Sequence, residues 1–169
     1  AYAVGLLVTD GNLSKDGRHI NFRSSDLDLI ETFKRCLDLK AKTAENSQNT
    51  YGRKPCFLVQ WSDVALYLWL TRIGLMPAKS LIIGSVNLPD EFFCDFLRGH
   101  SDGDGTVMSY IDNSNNYRNR NYTAIRLYLK FISASRSHLE WLMSKIQSQV
   151  SAKGSFEARV KMINDKPHY

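Results

Sequence analysis

Two aspartates stand where helix electrostatics disfavour them. Asp10 closes the run Tyr2-Ala3-Val4-Gly5-Leu6-Leu7-Val8-Thr9, Asp104 closes Phe96-Leu97-Arg98-Gly99-His100-Ser101-Asp102-Gly103, and each is followed by glycine, Gly11 or Gly105. A helix C-terminus carries the negative end of the macrodipole, so a carboxylate in the last turn is worse than a cation by up to about 1 kcal/mol. Gly11 and Gly105 are expected to adopt the left-handed conformation that ends a helix. In each copy a second glycine, Gly5 or Gly99, lies six residues before the last. Small residues at that spacing let two helices approach backbone to backbone. Both carboxylates then arrive side by side, which raises their pKa values unless a cation neutralises them. Hard oxygen donors of this kind select Mg²⁺ or Ca²⁺.

Two other readings of Asp102-Gly103-Asp104-Gly105-Thr106 fail. A calcium loop starting at Asp102 needs glycine at its sixth position and glutamate at its twelfth, where Val107 and Asn113 stand. A phosphatase nucleophile of the haloacid-dehalogenase type follows a buried apolar strand, whereas Arg98-Gly99-His100-Ser101 is polar and glycine-bearing.

The elements that would position the aspartates repeat along the chain. The motif glycines Gly11 and Gly105 are 94 residues apart, and Phe22-Arg23-Ser24 and Phe131-Ile132-Ser133 are 109 apart. Each of those triplets precedes a helical stretch, residues 26–39 or 136–150, and Lys54-Pro55 matches Lys166-Pro167 later on. Most of the extra length in the second copy is the Asn- and Arg-rich stretch 113–121. Residues 18–24, 125–131 and 156–162 alternate apolar and polar, the period of a half-buried strand. Their outer faces carry Arg23, Arg126, Lys130, Arg159 and Lys161 against the single acid Glu157. That bias favours a nucleic-acid surface over an ordinary solvated face.

The chain has 169 residues, 43% of them hydrophobic and 23% charged, which excludes wholesale disorder and suits one compact domain or two small fused halves. The net charge of +5 arises entirely after residue 103.

In this two-copy pattern the chain resembles the LAGLIDADG homing endonucleases in their single-chain form. The likeness spans essentially the whole chain in element order. It implies an α/β (α+β) fold of two pseudo-symmetric αββαββα halves, packed through the two motif helices, with antiparallel sheets forming a saddle for duplex DNA. The expected division is a first half over 1–76, a linker over 77–90 and a second half over 91–169 lacking its last strand and helix. A missing C-terminal segment or second polypeptide is expected to complete that half. The implied activity is site-specific, Mg²⁺-dependent double-strand cleavage by a monomer, with Ca²⁺ or Mn²⁺ able to replace Mg²⁺ in binding. Asp10 and Asp104 would be the catalytic metal ligands, joined by the carbonyls of Thr9 and Gly103. Lys79, in Gly74-Leu75-Met76-Pro77-Ala78-Lys79-Ser80, matches the place of a basic residue near the scissile phosphate. Departures from the family pattern are Val8, where many members carry an acid, and Ser24-Ser25, where others place Gln-Lys.

Base reading on this view falls to His19, Asn21, Arg23, Arg126, Tyr128, Lys130, Arg159 and Lys161, because a two-stranded ribbon fits the major groove. Arg118 and Arg120 are expected to reach DNA as a flanking arm. The alternative is a non-cleaving module of the same fold, an intron RNA maturase or a DNA-binding regulator. Three cysteines at wide spacing suggest a reducing interior. The absence of a basic leader or a long apolar run suggests an intracellular protein, in cytoplasm, nucleoid or organelle matrix, with a trimmed start. His100, His138 and His168 form no spaced ligand set, and Trp61, Trp69 and Trp141 are expected in the core.

Overall fold

The computed structural model describes residues 1–46, 55–112, 123–150, 152–157, 161–163 and 166–168. Arg118, Arg120 and Arg159 lie outside these. The first seven elements run α1 (Tyr2–Thr9), β1 (Gly11–Leu13), β2 (His19–Ser24), α2 (Leu27–Cys36), β3 (Thr43–Asn46), β4 (Cys56–Ser62) and α3 (Val64–Ile73). The next six repeat the order as α4 (Phe93–Asp104), β5 (Gly105–Asp112), β6 (Ala124–Phe131), α5 (Arg136–Gln149), β7 (Lys161–Ile163) and β8 (Lys166–His168). No described helix is long and apolar enough to cross a membrane.

The repeat read from residue spacing is preserved in hydrogen-bond register. Gly11 pairs with Phe22 in the first half and Gly105 with Phe131 in the second, both antiparallel. Local chemistry fixes the helix starts. Asp26 accepts from the amides of Asp28 and Leu29 to open α2, Asp63 accepts from Leu66 at 2.8 Å to open α3, and Ser135 caps α5. Gly74, at φ 115°, ends α3, and a side chain there would also strike the Ser85 carbonyl.

α1 is apolar all round and buries Ala3 through Val8, as a central helix must. It packs against α4, which turns Phe93, Phe96, Gly99 and His100 inward. A Cβ added to Gly5 would stand 2.2 Å from the Phe96 carbonyl oxygen, and one on Gly99 would stand 2.0 Å from that of Tyr2. Only hydrogen fits at either point. At the rim of this contact Tyr2 donates to Asp102 at 2.7 Å and Arg98 lies over the Tyr2 ring.

The motif glycines themselves do not behave as expected. Neither Gly11 nor Gly105 is left-handed: α1 ends at Asp10 in a right-handed helical conformation, and Gly105 is extended at φ −86°, ψ 157°. Glycine is required there for space. A Cβ at Gly11 would lie 2.6 Å from the main chain of Leu7, and one at Gly105 2.5 Å from the Ser101 carbonyl, because each glycine lies against the last turn of its own helix.

The sheets differ between the halves. β1-β2-β4-β3 form one four-stranded antiparallel sheet whose inner face, with Leu13, Ile20, Phe22 and Val59, packs on Ile30, Phe33 and Leu70. Phe22 and Phe33 stack at 4.3 Å. In the second half β5-β6 and β7-β8 are separate two-stranded ribbons. Of the strand expected over 156–162, Phe156 and Glu157 carry no regular structure, Lys161 and Met162 lie in β7, and 158–160 lie outside the described residues. The apolar alternation of β6 does form a strand, yet its apolar side is open: Ile125 is 79% and Leu127 73% exposed. Only Phe131, at the base of the ribbon, reaches the core, in contact with His100. Trp69 is also exposed, because the buried stripe of α3 runs through Tyr67, Leu70 and Ile73 and Trp69 lies off it.

The α1·α4 contact predicts that Gly5→Ala or Gly99→Ala forces the helices apart and lowers unfolding free energy by about 3 kcal/mol or more, measured by denaturant titration. Gly84→Ala, where an added Cβ meets nothing within 4 Å, is the control and should stay within about 0.5 kcal/mol.

Candidate functional site

The α1 and α4 helices end together, and with them the two aspartates. Asp10 and Asp104 both remain exposed at the surface of the helix pair. The Asp10 carboxyl is pushed above its ordinary value of 3.8, first by partial desolvation and then by the charge of Asp104, against a hydrogen bond from Thr9 and the pull of Lys79. Asp104 is pushed up by desolvation, again opposed by Lys79. Gly103 makes the approach possible. A Cβ there would stand 2.0 Å from Thr9 Oγ1 and 2.9 Å from Asp10 Oδ2, so the first-half carboxylate lies against the main chain of the second motif.

This donor set fits a hard divalent cation. It offers two carboxylates raised by partial desolvation, Asp10 also by the charge of Asp104, with main-chain oxygens beside them and no soft ligand. Among the described residues no group of three His, Cys, Asp or Glu side chains surrounds it. Remaining positions would therefore fall to main-chain oxygens such as Gly103, to water or to a phosphate, the habit of Mg²⁺.

Lys79 is not a solvated linker lysine. It is 6% exposed, in a single 3₁₀ turn over Lys79–Leu81 that follows Ala78 in the left-handed region at φ 54°. Its Nζ donates to the Gly11 carbonyl and, at 3.4 Å, to the Thr9 carbonyl. Burial holds its pKa below the ordinary value, while Asp10 and Asp104 oppose that shift. One ammonium thus faces two carboxylates. The Thr9 carbonyl, expected as a metal ligand, is shared with it.

The outer strand faces carry the other expected residues. His19, Asn21 and Arg23 lie on one side of β2, with Ile20 and Phe22 fully buried on the other. His19 Nδ1 contacts Asp16, whose pKa falls to about 2, mainly through that hydrogen bond. Register places Asn12 and Gln60 opposite Asn21, making a row of three amides. Asn12 and Gln60 were missed. The alternation of Cys56, Leu58, Gln60 and Ser62 against Phe57, Val59 and Trp61 was the available signal. On β5-β6, Arg126, Tyr128 and Lys130 share a face with Thr106, Met108 and Tyr110. Tyr110 and Tyr128 stack at 5.7 Å with 4° between planes, and Arg126 is ion-paired to Asp112. The backbone of Lys161 lies in β7.

Sequence reasoning also missed a buried histidine pair. His100 on α4 and His138 on α5, each 1% exposed, approach at 3.1 Å through their Nε2 atoms. His138 Nδ1 lies 2.8 Å from the Gly84 carbonyl, which can only accept, so that nitrogen carries the proton. A neutral His138 then accepts at Nε2 from His100, whose own Nδ1 is buried without a partner. A small cavity lined by both rings, Thr9, Ser80 and Asp104 connects the pair to the aspartate site.

No family model matches the chain, and no curated protein matches it. Solved structures do. Meganuclease I-SmaMI, bound to uncleaveable DNA with a TTCT central four, matches at 12% identity, covering 98% of this chain and 75% of that chain with a TM-score of 0.55. The fold is that of the LAGLIDADG homing endonucleases. The I-LtrWI LAGLIDADG homing endonuclease bound to target DNA also matches, at 16% identity over 77% of this chain and 65% of that chain, with a TM-score of 0.44. Within this fold α1 and α4 are the packed helix pair that carries the repeated glycine and aspartate positions.

Burial pushes His100 down to about 4 and lowers His138, so both stay neutral in the native state. The unfolded chain takes up protons near 6.5 and the native state does not, so stability is full above 6.5 and declines as pH falls toward 4. His100 alone accounts for at most about 3 kcal/mol of that loss. His100→Gln keeps an amide N–H for His138 without a titrating group, and its stability, followed by denaturant melts across this window, should decline less than that of the wild type.

Proposed function

We propose that this chain is a site-specific DNA endonuclease that hydrolyses phosphodiester bonds with a divalent cation. The observation that carries the reading is the convergence of Asp10, Asp104 and Lys79 at the paired ends of the two motif helices. A pure binding module gains nothing from two adjacent carboxylates with raised pKa values.

The residues divide the work. Asp10 and Asp104, with the Gly103 carbonyl, would hold Mg²⁺, which when bound supplies Lewis-acid charge to acidify water and offset charge on the phosphate. Lys79 contributes a hydrogen-bond donor and positive charge to the phosphate oxygens, from a site where partial burial strengthens the interaction. The row Asn12, Asn21 and Gln60 presents amides suited to adenine edges, and Arg23 suits guanine. Tyr110, Tyr128 and Lys130 extend that face in the second half. Backbone contacts by the cations set affinity, and these base-edge groups set specificity.

The test is a duplex selected from a randomised pool, incubated with protein and Mg²⁺. Wild type should cut both strands. Asp10→Asn and Asp104→Asn should lose about 10³-fold or more in single-turnover rate, and Lys79→Met about 10²-fold, with affinity in Ca²⁺ retained. Affinity should fall steeply between about 50 and 200 mM salt. An intact selected duplex would replace this reading with that of a DNA-binding regulator, and tighter binding to a folded intron RNA without DNA cleavage with that of a maturase.

A further inference from the structure

The segment that carries Lys79 is held from the second half of the molecule, by groups with no part in binding a cation or DNA. Ser80 is exposed, Leu81 is 66% and Ile82 62% exposed, so apolar burial does little to fix the turn before Ile83, which is 3% exposed. Hydrogen bonds do the rest. The Lys79 carbonyl accepts from the amides of Ile82 and Ile83 at 2.9 and 2.8 Å. The Ile83 carbonyl in turn accepts from Ser135 Oγ at 2.5 Å and Ser137 Oγ at 3.2 Å, and the Gly84 carbonyl accepts from His138 Nδ1. Ser135 and His138 are 2% and 1% exposed, and His100 donates to His138 Nε2 from behind. At its other end Lys79 reaches the carbonyls of Thr9 and Gly11 in the first half.

We propose that the first turn of α5 is a positioning clamp for Lys79: Ser135, Ser137 and His138, with His100 behind them, grip the carbonyls of Ile83 and Gly84 and thereby set the ammonium against the two motif-helix ends. The clamp rests on the reading of Lys79 as the phosphate-facing cation. It places the lysine relative to both halves at once, since its root is tied to α5 and its tip to α1 and β1. Ser135, Ser137 and His138 are positioning residues and touch no reacting atom.

Two readouts separate the clamp from the nuclease reading. The first is acetylation of Lys79 by a water-soluble acylating reagent, quantified by peptide mass spectrometry against the exposed Lys40. In the wild type Lys79 should be strongly protected. His138→Leu should raise its labelling rate about tenfold, the scale of one lost buried hydrogen bond. His138→Asn, whose amide N–H can take the place of Nδ1, should restore protection. The second is cleavage, where His138→Leu should lower the single-turnover rate about tenfold with affinity in Ca²⁺ unchanged, and His138→Asn should recover it. If His138→Leu does not fold, Ser137→Ala gives the same comparison at the edge of the clamp. Unchanged Lys79 protection in a folded variant would overturn the clamp, even if the wild type cuts DNA. A wild type that does not cut would overturn the nuclease reading alone, because the labelling result still decides the clamp.

Discussion

Everything at the site depends on how closely α1 and α4 approach. Their main chains meet where Gly5 and Gly99 carry no side chain, so that carbonyl oxygens occupy the space a Cβ would need. This contact brings the helix C-termini together, and the aspartates meet because each is the last polar residue of its helix. Two negative dipole ends and two carboxylates in one place are unstable without compensation. Lys79 supplies one positive charge, and the proposed divalent cation would supply more. The tight helix packing and the meeting of the two carboxylates are thus one constraint viewed from two sides.

The two halves share this contact and little else in degree. The first completes a four-stranded sheet over Phe22, Phe33 and Leu70, all fully buried. The second anchors α5 through Trp141 against Phe93 and Phe96, with Leu142 buried beside it in sequence, and leaves the apolar side of β5-β6 open. The segment after α3 compensates by serving both. It closes α3 through Asn87 and the Ile73 carbonyl, carries Lys79, and is gripped by α5. Asp90, in the turn that leads into α4, adds an ion pair to Lys145 of α5.

Much of this was legible in the residues because it depends on local spacing. The Gly5 and Gly99 positions, the paired aspartates, the outward row His19, Asn21 and Arg23, and the helical stretches near 26–39 and 136–150 all follow from spacing and periodicity. Gly11 and Gly105 were expected to turn left-handed, but they are small because each lies against the last turn of its own helix. The rest that was not legible depends on contacts distant in sequence. The amides of Asn12 and Gln60 join Asn21 only through strand register. His100 and His138 are 38 residues apart, and no spacing rule links two single histidines on different helices. Lys79 could be named through the family resemblance, yet its burial required the linker to pack, which composition did not indicate. The open side of β6 runs against its alternation, since a pattern shows which face is apolar and not whether anything covers it.

A divalent cation shared between the ends of α1 and α4, as proposed, can be detected by oxidative mapping with Fe²⁺. Fe²⁺ bound in place of Mg²⁺, with ascorbate and peroxide, cleaves the protein backbone next to its ligands. Cleavage should occur in two separate segments, around Thr9 to Gly11 and around Gly103 to Gly105, and excess Mg²⁺ should suppress both together. Asp10→Asn should remove both sets of fragments, including those from the second half. Cleavage at only one segment, at neither, or unaffected at Gly103 to Gly105 in Asp10→Asn, would contradict a shared site.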